Sequence, residues 1–390
     1  MSQDIIIIGA GPAGLSLAGL LGELGLKVVL IDQQSEQMLA NPSYDGREIA
    51  LTHLSRNIMQ KAGIWDQLEP QAISLIRDAR VLNGNLKRSL FFDHRQTGKE
   101  NLGFMVSNQS LRRAAYRVCK PMVNVRLISG EAVDSVTASG SNGYVTLTSG
   151  TQLDAPLLVA ADSRFSQMRS QMGIATGMRD FGRTCIVSKF ELERDHDQTA
   201  YECFFYDRTL AVLPLAEKYC SIVITLDTQQ AREVMEQSVT AFSDSVRQRL
   251  ESRFGEMTLI SERFAYPLVG TFAQRFYSKR FALLGDAAVG MHPVTAHGFN
   301  FGLRGAATLA NEIENAYREG IDHGGRELLQ RYHRAHRKAT LPLYLATNAL
   351  VSLYTQTSPL ARLARRALLE AGQYLSPAKR LIMKQLTESS

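Results

Sequence analysis

Residues 5–32 constrain the fold more than any other stretch of the chain. Ile5–Ile8 is a continuous apolar run, the pattern of a parallel strand covered on both faces. Gly9-Ala10-Gly11-Pro12-Ala13-Gly14 follows at once. Leu15 to Leu24 has helical periodicity, with Leu17, Leu20, Leu21 and Leu24 on one side, and Gly25 stops it. Lys27–Ile31 reads as a second strand ending at Asp32. A lone GxGxxG carries little information, but strand, glycine turn, helix, strand and acid in this order predict a dinucleotide-binding unit. Gly9 allows the tight turn, Gly11 lets backbone approach a pyrophosphate, and Gly14 lets helix and strand pack closely. Pro12 and Ala13 belong to the same cofactor-binding turn, at a helix start whose free N–H groups and dipole favour an anion. Asp32 can accept from ribose hydroxyls and would repel a 2′-phosphate, which favours FAD or NAD over NADP in this pocket.

At 390 residues the chain is too long for a small disulfide-stapled module and implies two or three domains or one large α/β unit. An apolar fraction of 45% with 21% charged residues excludes wholesale disorder. The net charge of +6 is unevenly placed: residues 321–390 hold 11 Lys or Arg against 4 Asp or Glu, a net of +7, leaving −1 for residues 1–320. Basicity is thus a property of the tail, and no nucleic-acid-binding motif accompanies it, so no nucleic-acid partner is expected. Cys119, Cys185, Cys203 and Cys220 are scattered, with no CxxC pair and no metal-ligand spacing; buried reduced thiols and no metal site are expected. The amino terminus lacks a basic n-region and runs straight into the first strand, and no stretch reaches 18 apolar residues. A cytoplasmic location follows as the expectation.

Beyond Asp32, helices are predicted over His53–Ala62, Gln109–Arg117, 232–254 and Gly302–Arg318, with a mostly helical tail. Strands are predicted at Leu90–Asp93, Val123–Ser129, Gly143–Leu147, Leu153–Val159 and Arg280–Leu284. Thr184–Leu226, rich in aromatic and β-branched residues, reads as an antiparallel layer.

Three separated signatures coincide: Gly9-x-Gly11-x-x-Gly14 with Asp32; Val159-Ala160-Ala161-Asp162-Ser163-Arg164 running to Ser166 and Arg169; and Gly285-Asp286-Ala287-Ala288 continuing through His292-Pro293 to Gly298-Phe299-Asn300-Phe301-Gly302. Together they resemble the FAD-dependent aromatic hydroxylases, and more closely the ubiquinone-biosynthesis hydroxylases that act on polyprenylated phenols. The resemblance covers nearly the whole chain. It implies an α/β fold, with a Rossmann-like FAD-binding domain, an inserted antiparallel-sheet substrate domain and a helical C-terminal region. The implied boundaries are about 1–75, 100–182 and 270–335 for FAD, 76–99 and 183–269 for substrate, and 336–390 for the basic helical region.

Residue roles follow from the same resemblance. Gly9, Gly11, Gly14 and Asp32 match the adenosine half of the FAD site, and Arg47 and Arg112 are assigned to the cofactor as well. Asp162 matches the middle motif, where Ala160 and Ser163 replace two usual glycines; a left-handed Ser163 would cost about 1 kcal/mol. Gly285 and Asp286 match the ribityl-binding turn. Gly298, Phe299 and Asn300 match backbone donors beside the flavin ring, and Pro293, His297 and Asn300 are the candidates for a catalytic role. His297 stands where glutamine is usual, and Gly305 where aspartate is common. Phe204, Phe205, Leu213, Pro214 and Tyr266 are the substrate-lining candidates.

The implied reaction uses NADPH or NADH as transient co-substrate and O₂, and hydroxylates a phenolic or quinol ring through a flavin C4a-hydroperoxide. A hydroxylase of a soluble aromatic, an isoprenoid-reducing flavoprotein and a non-catalytic FAD-binding accessory protein are the alternatives. A polyprenyl phenol is a membrane lipid, so peripheral contact with the inner face of the cytoplasmic membrane is expected, as is docking with other ubiquinone-biosynthesis proteins. Leu341–Leu350 and Leu360–Leu369, beside Arg362, Arg365, Arg366, Lys379 and Arg380, offer the apolar and basic stripes for it.

Overall fold

The computed structural model describes residues 3–83, 85–205, 207–291 and 298–355. The glycine unit forms as read: strand β1 (Ile5–Ile8) is fully covered, helix α1 (Pro12–Glu23) follows, and strand β2 (Val28–Asp32) returns parallel to β1. β1 sits near the middle of a six-stranded sheet in the order Tyr277–Ser278, Phe281–Leu283, Leu157–Ala160, β1, β2, Val125–Ser129. Ile5 lies opposite Leu157 on one side and Val28 on the other, and both pairings are parallel. Two covered faces explain why Ile5–Ile7 have no exposed surface and why no alternation interrupts the run. Around this sheet Leu17, Leu21, Leu158, Leu283, Phe301 and Leu309 share one large apolar core.

The second main layer is a nine-stranded, mostly antiparallel sheet. It is built on the long strand Thr176–Leu192, which pairs with Phe264–Ala273 on one side and Tyr219–Asp227 on the other. Thr209–Pro214, Thr199–Phe204, Asp78–Asn83 and Asn85–Phe92 continue it outward. Thr176–Leu192 and Phe264–Ala273 pair from Thr176 opposite Ala273 to Val187 opposite Phe264, with a register shift between Asp180 and Thr184, and Phe272 and Ala273 at one end join the main core. Helices Thr228–Glu236 and Val239–Arg249 cover one face, where Ile186, Phe190, Ile222, Ile224 and Phe242 form a separate core. Two small three-stranded sheets flank these layers, one of Glu48–Leu51, Gly103–Ser107 and Ser74–Ile76 and one of Gln152–Ala155, Asn142–Leu147 and Val133–Ser139.

Three local readings need correction. The expected strand Leu153–Val159 is two strands, Gln152–Ala155 and Leu157–Ala160, in different sheets; Pro156 lacks the N–H that would continue a ladder. The expected helix 232–254 is two helices, because Ser238 starts a new one by accepting from the Ala241 N–H. The helix expected from Gly302 begins at Gly298 and runs to Arg318.

The last described helix, Arg326–Thr355, carries Pro342 inside it. Leu328, Leu329 and Tyr332 join the main core, and Leu341, Leu343 and Tyr344 pack against it, so the first apolar stripe of the tail is partly body. The stripe Leu360–Leu369 and the basic residues Arg362 to Arg380 lie outside the described residues. Among the described residues no helix is long and apolar enough to cross a membrane.

Candidate active site

The glycine turn shows a different constraint at each glycine. Gly9 has φ +108°, and a Cβ there would stand 2.4 Å from the Ala161 carbonyl oxygen. A Cβ on Gly14 would stand 2.0 Å from the Gly9 carbonyl oxygen. A Cβ on Gly11 would meet nothing within 4 Å. Gly9 and Gly14 are therefore required by the fold, whereas Gly11 borders open space at the start of α1. That helix has Pro12 in its first turn, no acidic residue there and no side-chain cap, so its leading N–H groups are left for a ligand. Asp32 closes the turn: Oδ2 accepts from the Ala10 N–H at 2.7 Å and Oδ1 from the Gln34 N–H at 2.8 Å.

The other two signatures fold against this turn. Gly285 has φ +60°, and a Cβ there would lie 3.0 Å from the Ala13 Cβ; one on Gly302 would lie 3.5 Å from the same atom. The starts of α1 and of helix Gly298–Arg318 thus meet across the Gly285–Ala287 turn. Asp286 accepts from Arg164 Nη2 at 3.0 Å, and Arg164 Nη1 donates to the Val269 carbonyl at 3.1 Å. Arg169 is buried and ties the middle motif to the third, donating to the Ala287 carbonyl at 2.8 Å and the Arg164 carbonyl at 3.0 Å. Ser163 is absent from the left-handed residues, so the serine in the glycine's place carries no backbone strain. Its Oγ accepts from the Phe165 N–H at 3.2 Å. Asp162 keeps accessible surface; desolvation raises its pKa, with a hydrogen bond from Ser166 opposing.

Arg47 and Arg112 converge from separate segments. Arg47 pairs with Asp45 at 2.5 Å and lies over the Tyr266 ring at 5.6 Å. Arg112 donates to Gln34 Oε1 at 2.8 Å; desolvation and the charge of Arg47 lower its pKa, against the pull of Asp45 and Asp32. This places two guanidinium groups near the end of β2, beyond the glycine turn.

On the opposite side of the turn, Asn300 is buried with its side chain engaged. Its Oδ1 accepts from Ser55 Oγ at 2.7 Å and the Thr52 N–H at 3.2 Å, and its Nδ2 donates to the Ala50 carbonyl at 2.8 Å. Asn300 therefore bolts strand Glu48–Leu51 to the start of helix Gly298–Arg318. Pro293 and His297 lie outside the described residues.

Strand register sorts the substrate-lining candidates onto two faces. Tyr201 and Phe205 pack against the helix-covered core and Cys203 is part of it, so Glu202 and Phe204 point to the other face. Cys220, opposite Pro214, belongs to the helix-covered core. Phe205 and Pro214 thus stand apart from Phe204, Leu213 and Tyr266. Across the open face run two rows, Phe264–Val187–Val223–Ala211–Glu202 and Tyr266–Cys185–Thr225–Thr209–Phe204. Their middle is small side chains, a floor with larger groups at its edges. Loop 44–48 overhangs one edge: Tyr266 Oη donates to the Asp45 carbonyl at 2.6 Å, and Tyr44 packs edge-on to Phe264 at 5.9 Å.

Two acids, Glu48 in the small sheet beside this floor and Glu202 on the floor itself, escape a motif-based reading. Desolvation pushes Glu48 up to about 7, moderated by Lys189 and by Tyr44, whose Oη is 3.4 Å from Glu48 Oε1. Burial pushes Glu202 up to about 8. The one available sequence signal was an acid inside an apolar strand, Thr199-Ala-Tyr-Glu-Cys-Phe.

A Rossmann-type glycine turn, a second sheet with a small-residue floor and the three converging loops define an FAD-dependent monooxygenase of the aromatic-hydroxylase class. The open space at Gly11, the uncapped start of α1 and the Asp32 carboxylate fit the FAD that this class carries, with NAD(P)H as co-substrate. Residues 2–341 match the FAD binding domain family. The chain is 46% identical over 391 residues to the ubiquinone hydroxylase UbiM of Neisseria meningitidis, covering 99% of this chain and 85% of that protein. It is 32% identical to the ubiquinone hydroxylase UbiL of Rhodospirillum rubrum, covering 98% and 88%. The fold superposes on p-nitrophenol 4-monooxygenase PnpA of Pseudomonas putida with a TM-score of 0.78 at 17% identity, covering 99% of this chain and 98% of that one. The chain belongs to the FAD-binding-domain family and, within it, to the UbiM- and UbiL-like ubiquinone-biosynthesis hydroxylases.

Proposed function

We propose that this enzyme hydroxylates the ring of a polyprenylated phenol or quinol on the route to ubiquinone. The observation that carries the reading is the placement of the small-residue sheet floor beside the flavin turn, with strand Glu48–Leu51 between them and fixed to helix Gly298–Arg318 through Asn300. The likeness to UbiM supports the choice of substrate class.

Bound FAD supplies the activation of O₂ and the transfer of one oxygen atom. The chain's own residues hold and orient. Gly11 and the start of α1 take the pyrophosphate, Asp32 the adenosine ribose, and Arg47 and Arg112 the phosphate region beyond β2. Asp286, held by Arg164, accepts from the ribityl hydroxyls. The backbone at Gly298, Phe299 and Asn300 would hold the flavin ring at a helix start, which favours negative charge. Phe204, Leu213 and Tyr266 wall the aromatic substrate and exclude water. Glu48 is the acid closest in sequence to the Ala50–Asn300 link, and it holds or releases a proton near neutral pH beside Tyr44 and Lys189. The nucleotide-fold region and the nine-stranded sheet act as cofactor and substrate domains. The +7 of residues 321–390 is the feature that brings the enzyme to an anionic membrane surface or to neighbouring biosynthetic proteins.

The test is quinone-lipid profiling of a deletion strain, followed by turnover of the accumulated lipid by purified holoenzyme under ¹⁸O₂. One labelled oxygen on the ring with stoichiometric NAD(P)H oxidation is expected. An unchanged quinone profile, or NAD(P)H oxidation indifferent to the lipid, refutes the reading.

A further inference from the structure

Glu202 lies in the middle of strand Thr199–Phe204, between Ala211 on one neighbouring strand and Val81 on the other. Its side chain points to the open face of the nine-stranded sheet, because Cys203 on its next position belongs to the helix-covered core. Along its row lie Ala211, Val223 and Val187; in the next row Thr209 and Thr225 stand beside it. The residue keeps some accessible surface, as do Thr209, Val223 and Thr225 on the same face of the sheet.

The groups around Glu202 are almost all uncharged. Thr209 hydrogen-bonds it, and Cys185 and Cys203 are the titratable neighbours that feel its charge. Arg253 acts on Cys203 and stacks on Tyr201, a residue of the helix-covered side. Among the described residues no cation moderates Glu202 itself. An acid in such a place is held neutral through most of the physiological range, which matches its rise to about 8. Thr209, beside it on the neighbouring strand, favours the ionised form and so opposes the effect of burial. Fold stability gives no reason to bury a carboxyl among Ala211, Val81 and Val223, since an apolar residue of equal size would cost less.

We infer that Glu202 is a specificity-determining residue whose carboxylic acid donates a hydrogen bond to an oxygen substituent on the aromatic ring bound over the sheet floor. This rests on the hydroxylase reading above and deepens it: the preferred ring carries a hydroxyl, methoxyl or carbonyl oxygen at the end facing Glu202. A site with a buried donor rejects a ring lacking the matching acceptor, because the donor is then left unpaired.

The experiment uses FAD-loaded enzyme and two probes, a short-chain prenylated methoxyphenol and the same phenol without the methoxyl oxygen. Binding is read from the perturbation of the flavin spectrum, and turnover is split into kcat and KM. Wild type is expected to favour the oxygenated probe. Glu202→Leu should abolish that preference by raising Kd and KM for the oxygenated probe by about 10-fold or more, with Kd for the plain probe unchanged. Glu202→Gln keeps an N–H donor and should stay within about 3-fold of wild type. Above pH 8, wild-type affinity for the oxygenated probe should fall as the donor proton is lost, while Glu202→Gln stays flat. A Leu variant with the wild-type preference overturns the inference. So does a Gln variant with the wild-type pH profile, which decides the matter if the Leu variant fails to fold. If neither probe stimulates NAD(P)H oxidation by wild type, the hydroxylase reading itself fails; stimulation indifferent to residue 202 sinks the specificity role alone.

Discussion

Replacing Gly11 or Gly14 by alanine separates the demand of the ligand from the demand of the fold. At Gly14 the new Cβ would lie 2.0 Å from the Gly9 carbonyl oxygen, where ordinary contact begins near 3.4 Å. A backbone carbonyl cannot swing away like a side-chain tip, so α1 or the turn must shift, at about 2–4 kcal/mol. At Gly11 the backbone is φ −71°, ψ 177°, a conformation alanine adopts freely, and no atom lies within 4 Å of the added methyl. Losing chain entropy in the unfolded state favours Gly11→Ala, and a poorer N-cap disfavours it, each by no more than about 1 kcal/mol. Flavin-free Gly11→Ala should therefore melt close to wild type in scanning fluorimetry, and flavin-free Gly14→Ala several degrees lower. FAD titration followed by flavin fluorescence should then show Gly11→Ala binding about 10- to 100-fold more weakly, the equivalent of ~1.4–3 kcal/mol, because the methyl occupies the approach of the pyrophosphate. Wild-type FAD affinity in Gly11→Ala would refute the assignment of the open space. A stability loss matching that of Gly14→Ala would refute the geometry.

Three further outcomes are expected. Asn300→Ala should lower unfolding free energy in urea by about 2–4 kcal/mol, since it removes the buried acceptor of Ser55 Oγ and the donor to the Ala50 carbonyl and leaves a small cavity. Glu48 binds its proton more tightly in the folded state, near 7 against an ordinary 4.5, so its contribution to stability falls as pH rises through that window and levels off above it. Glu48→Gln should therefore match wild type near pH 4 and exceed it at pH 8 by up to about 3 kcal/mol; equal stability at both pH values would contradict the burial of this carboxyl. Cys119, Cys185, Cys203 and Cys220 are all buried and unpaired, and desolvation pushes the first three up to about 12, with Cys220 raised as well. None should react with a thiol reagent in native protein over minutes, and all four should react in guanidinium.

The cofactor half of the site was legible in the sequence because its constraints are local. Gly9, Gly11, Gly14 and Asp32 lie within one strand–helix–strand unit, where the spacing of the residues already sets the turn. The middle and third motifs were legible as patterns, but their contact was not. That Arg169 reaches the Ala287 carbonyl and Arg164 reaches Asp286 depends on chain segments more than 100 residues apart coming to adjacent strand ends. Asn300 shows the limit of carrying a role by motif: its position beside the glycine turn was expected, whereas the use of its side chain to hold Ala50 and Ser55 depends on packing.

The two faces of the second sheet were set by strand pairing and packing. An aromatic or apolar residue in a β-rich stretch reads alike whether it faces a helix-covered core or an enclosed site, because period-two alternation identifies two faces without saying which is which. Pairing settled it. Phe204, Leu213 and Tyr266 fall on the floor, Phe205 and Pro214 on the other side, and Glu202 comes to rest among small neighbours contributed by strands far away in sequence. That this chain builds a flavin-binding turn is written in residues 5–32 alone, since the turn is made by consecutive residues. Strand register in three dimensions chose which side chains share the small-residue face of the second sheet, since that surface is assembled across strands whose order no local pattern encodes.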